Sequence, residues 1–298
     1  MKKNSIEGYA GARGITAATP VGLERSCEVA TGDGDGIVQA PAISSIERIE
    51  ARFHGQGFEP HRHDTYAIGV TLTGVQTFHY RGSARASLPG KVIVLHPDEL
   101  HDGSAGTEDG LRYRMLYLPP ERLIEATGTA SLPFVRDPVL ADDEFRQCLA
   151  EALNDLEAEP QDLLLDDLIA RLSTSLWRHA DVHGPSNSRS LSRQAVLRCR
   201  DYLQEHCVRL VSSEELESVS GLDRYTTARQ FRKLLGTSPH RYLLMRRLDR
   251  SKALMTAGGS LADVAADAGF ADQAHFTRHF KKTFGMTPGR WMTLTKAV

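Results

Sequence analysis

The apolar positions of this chain change period along its length. Between residues 45 and 118 they alternate in short runs, at 45–53, 66–72, 76–80, 91–95 and 113–118. Gly55, Gly57, Gly74, Gly82, Pro89-Gly90 and Gly110 separate the runs. A period of two between turn residues predicts strands, and many short strands predict a sandwich or barrel. From 138 to 181 the period becomes helical. Phe145, Leu149, Leu153 and Leu156 recur, Glu159-Pro160 interrupts, and Leu164, Leu165, Leu168, Leu172 and Leu176 follow. This spacing predicts two antiparallel helices that cover the barrel or pair with a second subunit.

Beyond residue 191 one phrase is written twice. Residues 228–239 read Ala-Arg-Gln-Phe-Arg-Lys-Leu-Leu-Gly-Thr-Ser-Pro, and 277–288 read Thr-Arg-His-Phe-Lys-Lys-Thr-Phe-Gly-Met-Thr-Pro. Before each copy stands a cap. Ser212 with Glu215, and Ser260 with Asp263, have the form of a capping box, in which a hydroxyl and an acid satisfy free N–H groups. Gly221 and Gly269 then permit a sharp turn. The pattern predicts second helices at about 224–235 and 272–284, with Thr227, Phe231, Leu235 and Phe276, Phe280, Phe284 as their buried stripes. The opposite faces are basic and polar. The first shows Arg224, Ala228, Arg232 beside Tyr225, Arg229, Lys233. The second shows Gln273, Thr277, Lys281 beside Ala274, Arg278, Lys282. Arg can grip guanine and Gln adenine through two bonds each, while Lys mostly meets phosphate. One such face would pass for a solvated helix surface. Two in the same register favour DNA. A helix at 239–256 would join the two readers and span roughly 25 Å, on the scale of the ~34 Å DNA turn.

Residues 192–292 resemble the DNA-binding domain of the AraC/XylS family of bacterial transcription regulators. The resemblance rests on Ala265, Gly269-Phe270, Gln273, His275-Phe276, Arg278, Phe280-Lys281, Phe284-Gly285 and Thr287-Pro288. It implies base contacts at Tyr225, Ala228 and Arg229 in the first reader. In the second it implies Gln273, Ala274, His275, Thr277 and Arg278. Ala274 replaces a frequent Ser, Ala228 is short for a base edge, and Trp291-Met292 replaces a Tyr-Arg close. Upstream, Pro60-His61-Arg62-His63, Gly74, Pro89-Gly90 and Pro97-Asp98-Glu99-Leu100-His101 resemble the cupin-type sensor domain common in this family. The resemblance also implies dimerisation through the helical pair.

Charge divides the chain in the same place. The net charge is −2 overall, but residues 188–298 hold 19 Lys+Arg against 10 Asp+Glu. The remainder is acidic, so phosphate attraction lies with the C-terminal module. At 298 residues there is room for two domains. Cys27, Cys148, Cys199 and Cys207 form no zinc spacing and read as reduced thiols of a cytoplasmic protein. After Met1-Lys2-Lys3-Asn4 no apolar signal core follows, and no run is long enough to span a membrane.

The N-terminal chemistry centres on histidine. His61 and His63 alternate and would face the barrel interior, and His101 could join them from the paired strand. Three imidazoles could bind a metal. The carboxylate that metal-binding cupins add is replaced by Ala67 and Ile68, which favours pocket histidines bonded to their neighbours. A metal at His61, His63 and His101 is therefore left uncommitted. Tyr66 and Tyr113 are further candidate ligand-binding residues. Tyr80, Arg112 and Arg114 could also line a pocket, or the arginines pair with the acidic face.

The expected fold class is α+β in two domains: a cupin-like β-barrel with flanking helices and an all-α double helix-turn-helix. The expected divisions are a flexible arm at 1–36, a ligand-sensing domain at 37–137, a helical pair at 138–182, a linker at 183–190 and the DNA-binding domain at 191–298. The expected function is sequence-specific, effector-responsive transcription regulation, as activator or repressor. The expected partners are promoter DNA, RNA polymerase and a second copy of the chain. The expected cofactors are none beyond an unknown small-molecule effector, and no catalytic residue is assigned. The alternatives are a metal-dependent cupin enzyme fused to a DNA-binding domain and a nonspecific architectural DNA binder.

Overall fold

The computed structural model describes residues 34–41, 43, 45–128, 131–157, 162–181 and 193–297. The expected arm, apart from residues 34–36, and the expected linker at 183–190 lie outside the described residues.

Nine strands come first: β1 (Gly36–Gln39), β2 (Glu47–Phe53), β3 (Gln56–His61), β4 (Tyr66–Thr73), β5 (Gln76–Tyr80), β6 (Ser83–Ser87), β7 (Val92–Leu95), β8 (His101–Ala105) and β9 (Leu111–Leu118). Then follow α1 (Pro120–Thr127), β10 (Val139–Leu140), α2 (Asp143–Leu153) and α3 (Asp162–Arg178). The C-terminal module contains α4 (Arg193–Glu205), α5 (Ser213–Ser220), α6 (Arg224–Leu235), α7 (Pro239–Thr256), α8 (Leu261–Asp267), α9 (Gln273–Phe284), α10 (Pro288–Leu294) and β11 (Thr295–Ala297). The chain is α+β, with a β-rich N-terminal module and a helical C-terminal one.

The strands form two sheets rather than one closed barrel. The larger runs β10-β7-β4-β9-β2-β1-β11 and the smaller β3-β8-β5-β6. The alternation predicted from sequence holds, and each face of the large sheet has its own cover. Ala67, Ile93, Leu95, Tyr113 and Met115 face inward with Phe53, Phe78 and Tyr80. Ile68, Val92, Val94, Leu116 and Leu118 face outward, against Phe145, Leu149 and Leu153 of α2 and Leu168, Leu172 and Leu176 of α3. Each such side chain contributes about 1.5–3 kcal/mol on full burial. The helical pair therefore covers the outer face of the sheet. Two arginines pin it there. Arg48 donates to the Asp155 carbonyl at 3.0 Å and Arg114 to the Leu153 carbonyl at 2.8 Å, so cations meet the carbonyls left free at the end of α2. Arg112 and Arg114 both pair with Glu50, at 2.6 and 2.8 Å, on this outer side rather than in a pocket.

The helix-turn-helix units follow their caps. The Ser212 hydroxyl accepts the Glu215 N–H at 3.2 Å, and Glu215 accepts the Ser212 N–H at 3.0 Å. The Ser260 hydroxyl accepts the Asp263 N–H at 3.3 Å. Phe231, Leu235, Phe276 and Phe280 are buried, as the stripes predict, while Phe284 is half-buried. Leu216 and Val219 of α5 are only partly covered, whereas Val264 and Ala268 are fully buried. The difference has a cause. The second unit merges with the sheet interior, since Phe276, Phe280, Trp291 and Leu294 share one apolar cluster with Phe53, Tyr80 and Tyr113. At its end β11 pairs in parallel with β1, matching Thr295 to Ile37. Sequence alone divides the two modules. The folded chain gives them a common core.

Candidate functional site

Two regions carry the functional side chains: the outer faces of α6 and α9, and a histidine-lined cleft beneath α7.

Each reader helix starts at an aspartate. Asp223 accepts the N–H groups of Tyr225 and Thr226 at 3.1 and 2.9 Å, and Asp272 that of His275 at 2.6 Å. Gly236 and Gly285 end the two helices at φ 72° and 68°. On α6, Tyr225 is 78% exposed, and Arg229 and Arg232 are exposed too. Arg229 donates to the Thr226 hydroxyl at 3.1 Å. Arg224 is tied to α5, pairing with Glu214 and Glu217 at 3.0 Å each. On α9, Gln273, Ala274 and Arg278 are exposed, while His275 and Thr277 are half-buried. The His275 ring packs on His279, with centroids 4.5 Å apart. Lys281 pairs with Glu59 of β3 at 2.9 Å. The structure thus places Tyr225, Arg229, Arg232, Gln273, Ala274 and Arg278 outward on the two helices, and holds Arg224 and Lys281 by carboxylates of neighbouring elements.

The histidines come together. His61 and His101 are register partners across β3 and β8, with ring centroids 4.3 Å apart. His63 lies 4.7 Å from His101 and 5.3 Å from the Tyr117 ring. All three are buried. Burial holds His61 and His63 well below the usual imidazole range, with the neighbouring His101 adding to the effect, and brings His101 down to about 4. The rings are therefore neutral at pH 7.

His61 and His63 line a cleft whose other wall is the helical module. Phe58 and Tyr117 stand on the sheet side; Met245, Lys252, Phe284 and Trp291 stand opposite. Ion pairs clasp its rim. Arg246 meets Asp64 at 2.9 Å and Lys252 meets Glu47 at 2.5 Å. Arg241 meets Asp98 at 2.8 Å and donates to the Arg62 carbonyl at 2.7 Å. Arg246 stays charged. Its burial opposes this, but Asp249 and Asp64 outweigh it and raise its pKa above the usual range.

Tyr66 and Tyr113 do not join this cleft. The Tyr66 hydroxyl donates to the Pro133 carbonyl at 2.8 Å, and its ring lies in the core beneath α2 and α3. Tyr113 is packed in the interior between the sheets. Tyr80 bonds to His96 at 2.8 Å. The polar clasps leave no signal in the sequence, because each joins residues far apart in the chain.

A β-sheet module seated on two capped helix-turn-helix units is the build of a DNA-binding regulator with its own sensor. The comparisons agree. Residues 44–173 match the AraC-like ligand binding domain, and residues 217–293 match a helix-turn-helix domain. The chain is 30% identical over 235 residues to YbfI of Bacillus subtilis (strain 168), described as an uncharacterized HTH-type transcriptional regulator. That match covers 76% of this chain and 85% of YbfI. It is 25% identical over 253 residues to RhaS of Yersinia pestis (strain Pestoides F), an HTH-type transcriptional activator, covering 80% and 91%. The fold is that of ToxT from Vibrio cholerae strain SCE256, solved with an unsaturated fatty acid bound. The TM-score is 0.59 at 11% identity, over 84% of this chain and 94% of ToxT. The chain belongs to the AraC family of transcriptional regulators. Helix-turn-helix regulators of this family bind double-stranded DNA. Among the described residues no helix is long and apolar enough to cross a membrane.

Proposed function

We propose that the chain reads two adjacent groove segments of promoter DNA with α6 and α9, under control of a small effector held in the cleft beneath α7. Tyr225, Arg229, Gln273, Ala274 and Arg278 face the bases, and Arg232 faces phosphate. Arg224 acts by fixing the turn between α5 and α6. The 18 residues of α7 span about 27 Å and set the separation of the readers.

The observation that carries this reading is the shared cleft. Its walls come from both modules, so an effector entering it touches the sensor and the reader at once. A ligand shifts an arrangement only by its differential affinity for the alternatives. Here the clasps Arg246–Asp64 and Lys252–Glu47 are the contacts that such a ligand would compete with or reinforce. The fatty acid of ToxT supports a small, largely apolar effector. Phe58, Tyr117, Met245, Phe284 and Trp291 offer such a molecule an apolar bed.

On this reading the protein works in the cytoplasm as a homodimer, engages RNA polymerase, and performs no catalysis. The exposed Leu163 and Leu164 on α3 provide the dimer contact. The test is a footprint on DNA from upstream of the chain's own gene, against scrambled DNA at several salt concentrations. A footprint over two neighbouring groove segments per protomer is expected. Equal affinity for both DNAs, with a steep salt slope, would replace the reading with nonspecific binding.

A further inference from the structure

We propose that the cleft beneath α7 selects an effector with a protonated amine head on an apolar, aromatic body, the head held by Asp64 and His63. This rests on the reading of the cleft as the effector site and names the chemical class that the site takes.

Two buried acceptors of the cleft lack a donor. Asp64 is 4% exposed; its Oδ2 takes Arg246 at 2.9 Å, while its Oδ1 has no hydrogen-bond partner. His63 is 5% exposed, and its Nδ1 lies 2.9 Å from the Thr65 carbonyl. A carbonyl oxygen can only accept, so Nδ1 carries the hydrogen and Nε2 keeps the lone pair. That Nε2 has no partner either. Both residues line the cleft. A buried acceptor without a donor destabilises the fold, and more so when it is charged. An ammonium brings three hydrogens and accepts none, which suits a lining short of donors.

Charge favours a cation over an anion. Glu47, Asp64 and Asp249 bring three carboxylates to the lining, and Arg246 and Lys252 bring two cations. Arg241 at the rim is matched by Asp98. Burial pushes the Asp249 carboxyl up to about 6, against the pull of Arg246 and with Glu47 adding to the rise. A fatty acid would set a fourth carboxylate against the same two cations, whereas an amine evens the count. The buried Nε of Arg246 also lacks a partner. Arg246 already faces Asp64 and Asp249, at 2.9 and 3.2 Å, so a further anion there meets repulsion from both.

The walls suit the rest of such a molecule. The cleft already hosts one ammonium in this manner: Lys252 Nζ pairs with Glu47 and lies 4.7 Å from the Phe284 ring centroid, within the range of a cation–π contact. Phe58, Tyr117 and Trp291 add aromatic surface. The inner cleft has about 80 Å³ of free volume, room for about five waters or for an amine head of that size. It adjoins a wider cavity of about 780 Å³, which shares Glu47, Lys252 and Trp291 with it and accommodates the body.

The experiment titrates the native full-length chain in a calorimeter with three probes of similar shape: 2-phenylethylamine hydrochloride, 2-phenylethanol and phenylacetate. One amine per chain is expected, bound about tenfold or more tighter than the alcohol or the acid. Asp64→Asn should remove most of that preference while the alcohol binds as before. Asp249→Asn, at a half-buried side chain, should lower the preference too, and serves where Asp64→Asn does not fold. Phe284→Ala should weaken all three probes. If the alcohol or the acid binds at least as tightly as the amine and Phe284→Ala weakens it, the amine class is overturned and the effector cleft stands. If the amine does not bind, the proposal is overturned. If it binds equally well to folded Asp64→Asn and Phe284→Ala, it sits elsewhere, and the cleft reading is overturned with the proposal.

Discussion

Gly285→Ala tests whether β3 grips the second reader. Gly285 sits at φ 68°, where a side chain costs roughly 1–2 kcal/mol. Gly221 has φ 71° and open space around it, so Gly221→Ala carries that cost alone. At Gly285 the added methyl would lie 2.6 Å from the Glu59 carbonyl oxygen and 2.8 Å from His61 Nδ1. Relief requires β3 to move off α9. That breaks the Glu59 to Gly285 backbone bond, which contributes about 0.5–1.5 kcal/mol. The Lys281–Glu59 pair is more than a third exposed on average, and adds at most about 1 kcal/mol. Gly285→Ala should therefore cost about 2–4 kcal/mol against about 1–2 for Gly221→Ala. Urea unfolding supplies the two totals. Hydrogen exchange reads the contact itself: the Glu59 amide should lose at least tenfold protection in Gly285→Ala and none in Gly221→Ala. Equal losses in both variants, with the Glu59 amide still protected, would refute the docking of β3 on α9.

Arg278→Ala should cost about 1–3 kcal/mol on the cognate site and relax base preference at one position. Binding measured on site variants and random DNA decides this, and an equal loss on random DNA would make Arg278 a phosphate contact. His96 should make the fold acid-sensitive. Its Nε2 accepts the Val135 N–H at 2.9 Å, and burial, aided by Arg81, lowers its pKa to about 3. Its stabilisation is complete above the unfolded value of about 6.5 and is lost at about 1.4 kcal/mol per unit as pH falls toward 3. The native chain should thus lose about 2 kcal/mol more than His96→Gln between pH 7 and 5 in urea unfolding, and parallel losses would contradict the sign. Leu163, 85% exposed on α3, is the probe of assembly. Leu163→Glu should give monomers in sedimentation with Tm unchanged within about 2 °C, and a surviving dimer would move the interface elsewhere.

The helical half was legible because its signals are local. The limits 224–235 and 239–256 predicted from sequence are those of α6 and α7, since Asp223, Ser238, Gly236 and the prolines mark helix ends within a few residues. Strands without alternation escaped. β3 contains Gly57 and Pro60, β8 reads His-Asp-Gly-Ser-Ala, and β11 is defined by a partner far away. The histidine trio was visible as spacing, but the hydrogen bonds that hold its rings run to three backbone carbonyls that no pattern names. Tyr66 misled for a related reason. Alternation separates the faces of β4, but both are buried, and periodicity does not tell the cleft side from the helix side.

The pairing of β11 with β1 sets an order in time. Thr295 lies 258 residues after its partner Ile37. At 5–20 residues per second, a nascent chain waits about 13–50 s between making the one and making the other. Throughout that interval the β1 edge has no β11 to cover it. The sheet that senses is completed only after the helices it governs have been synthesised, so each newly made regulator acquires its reader before its sensor is finished.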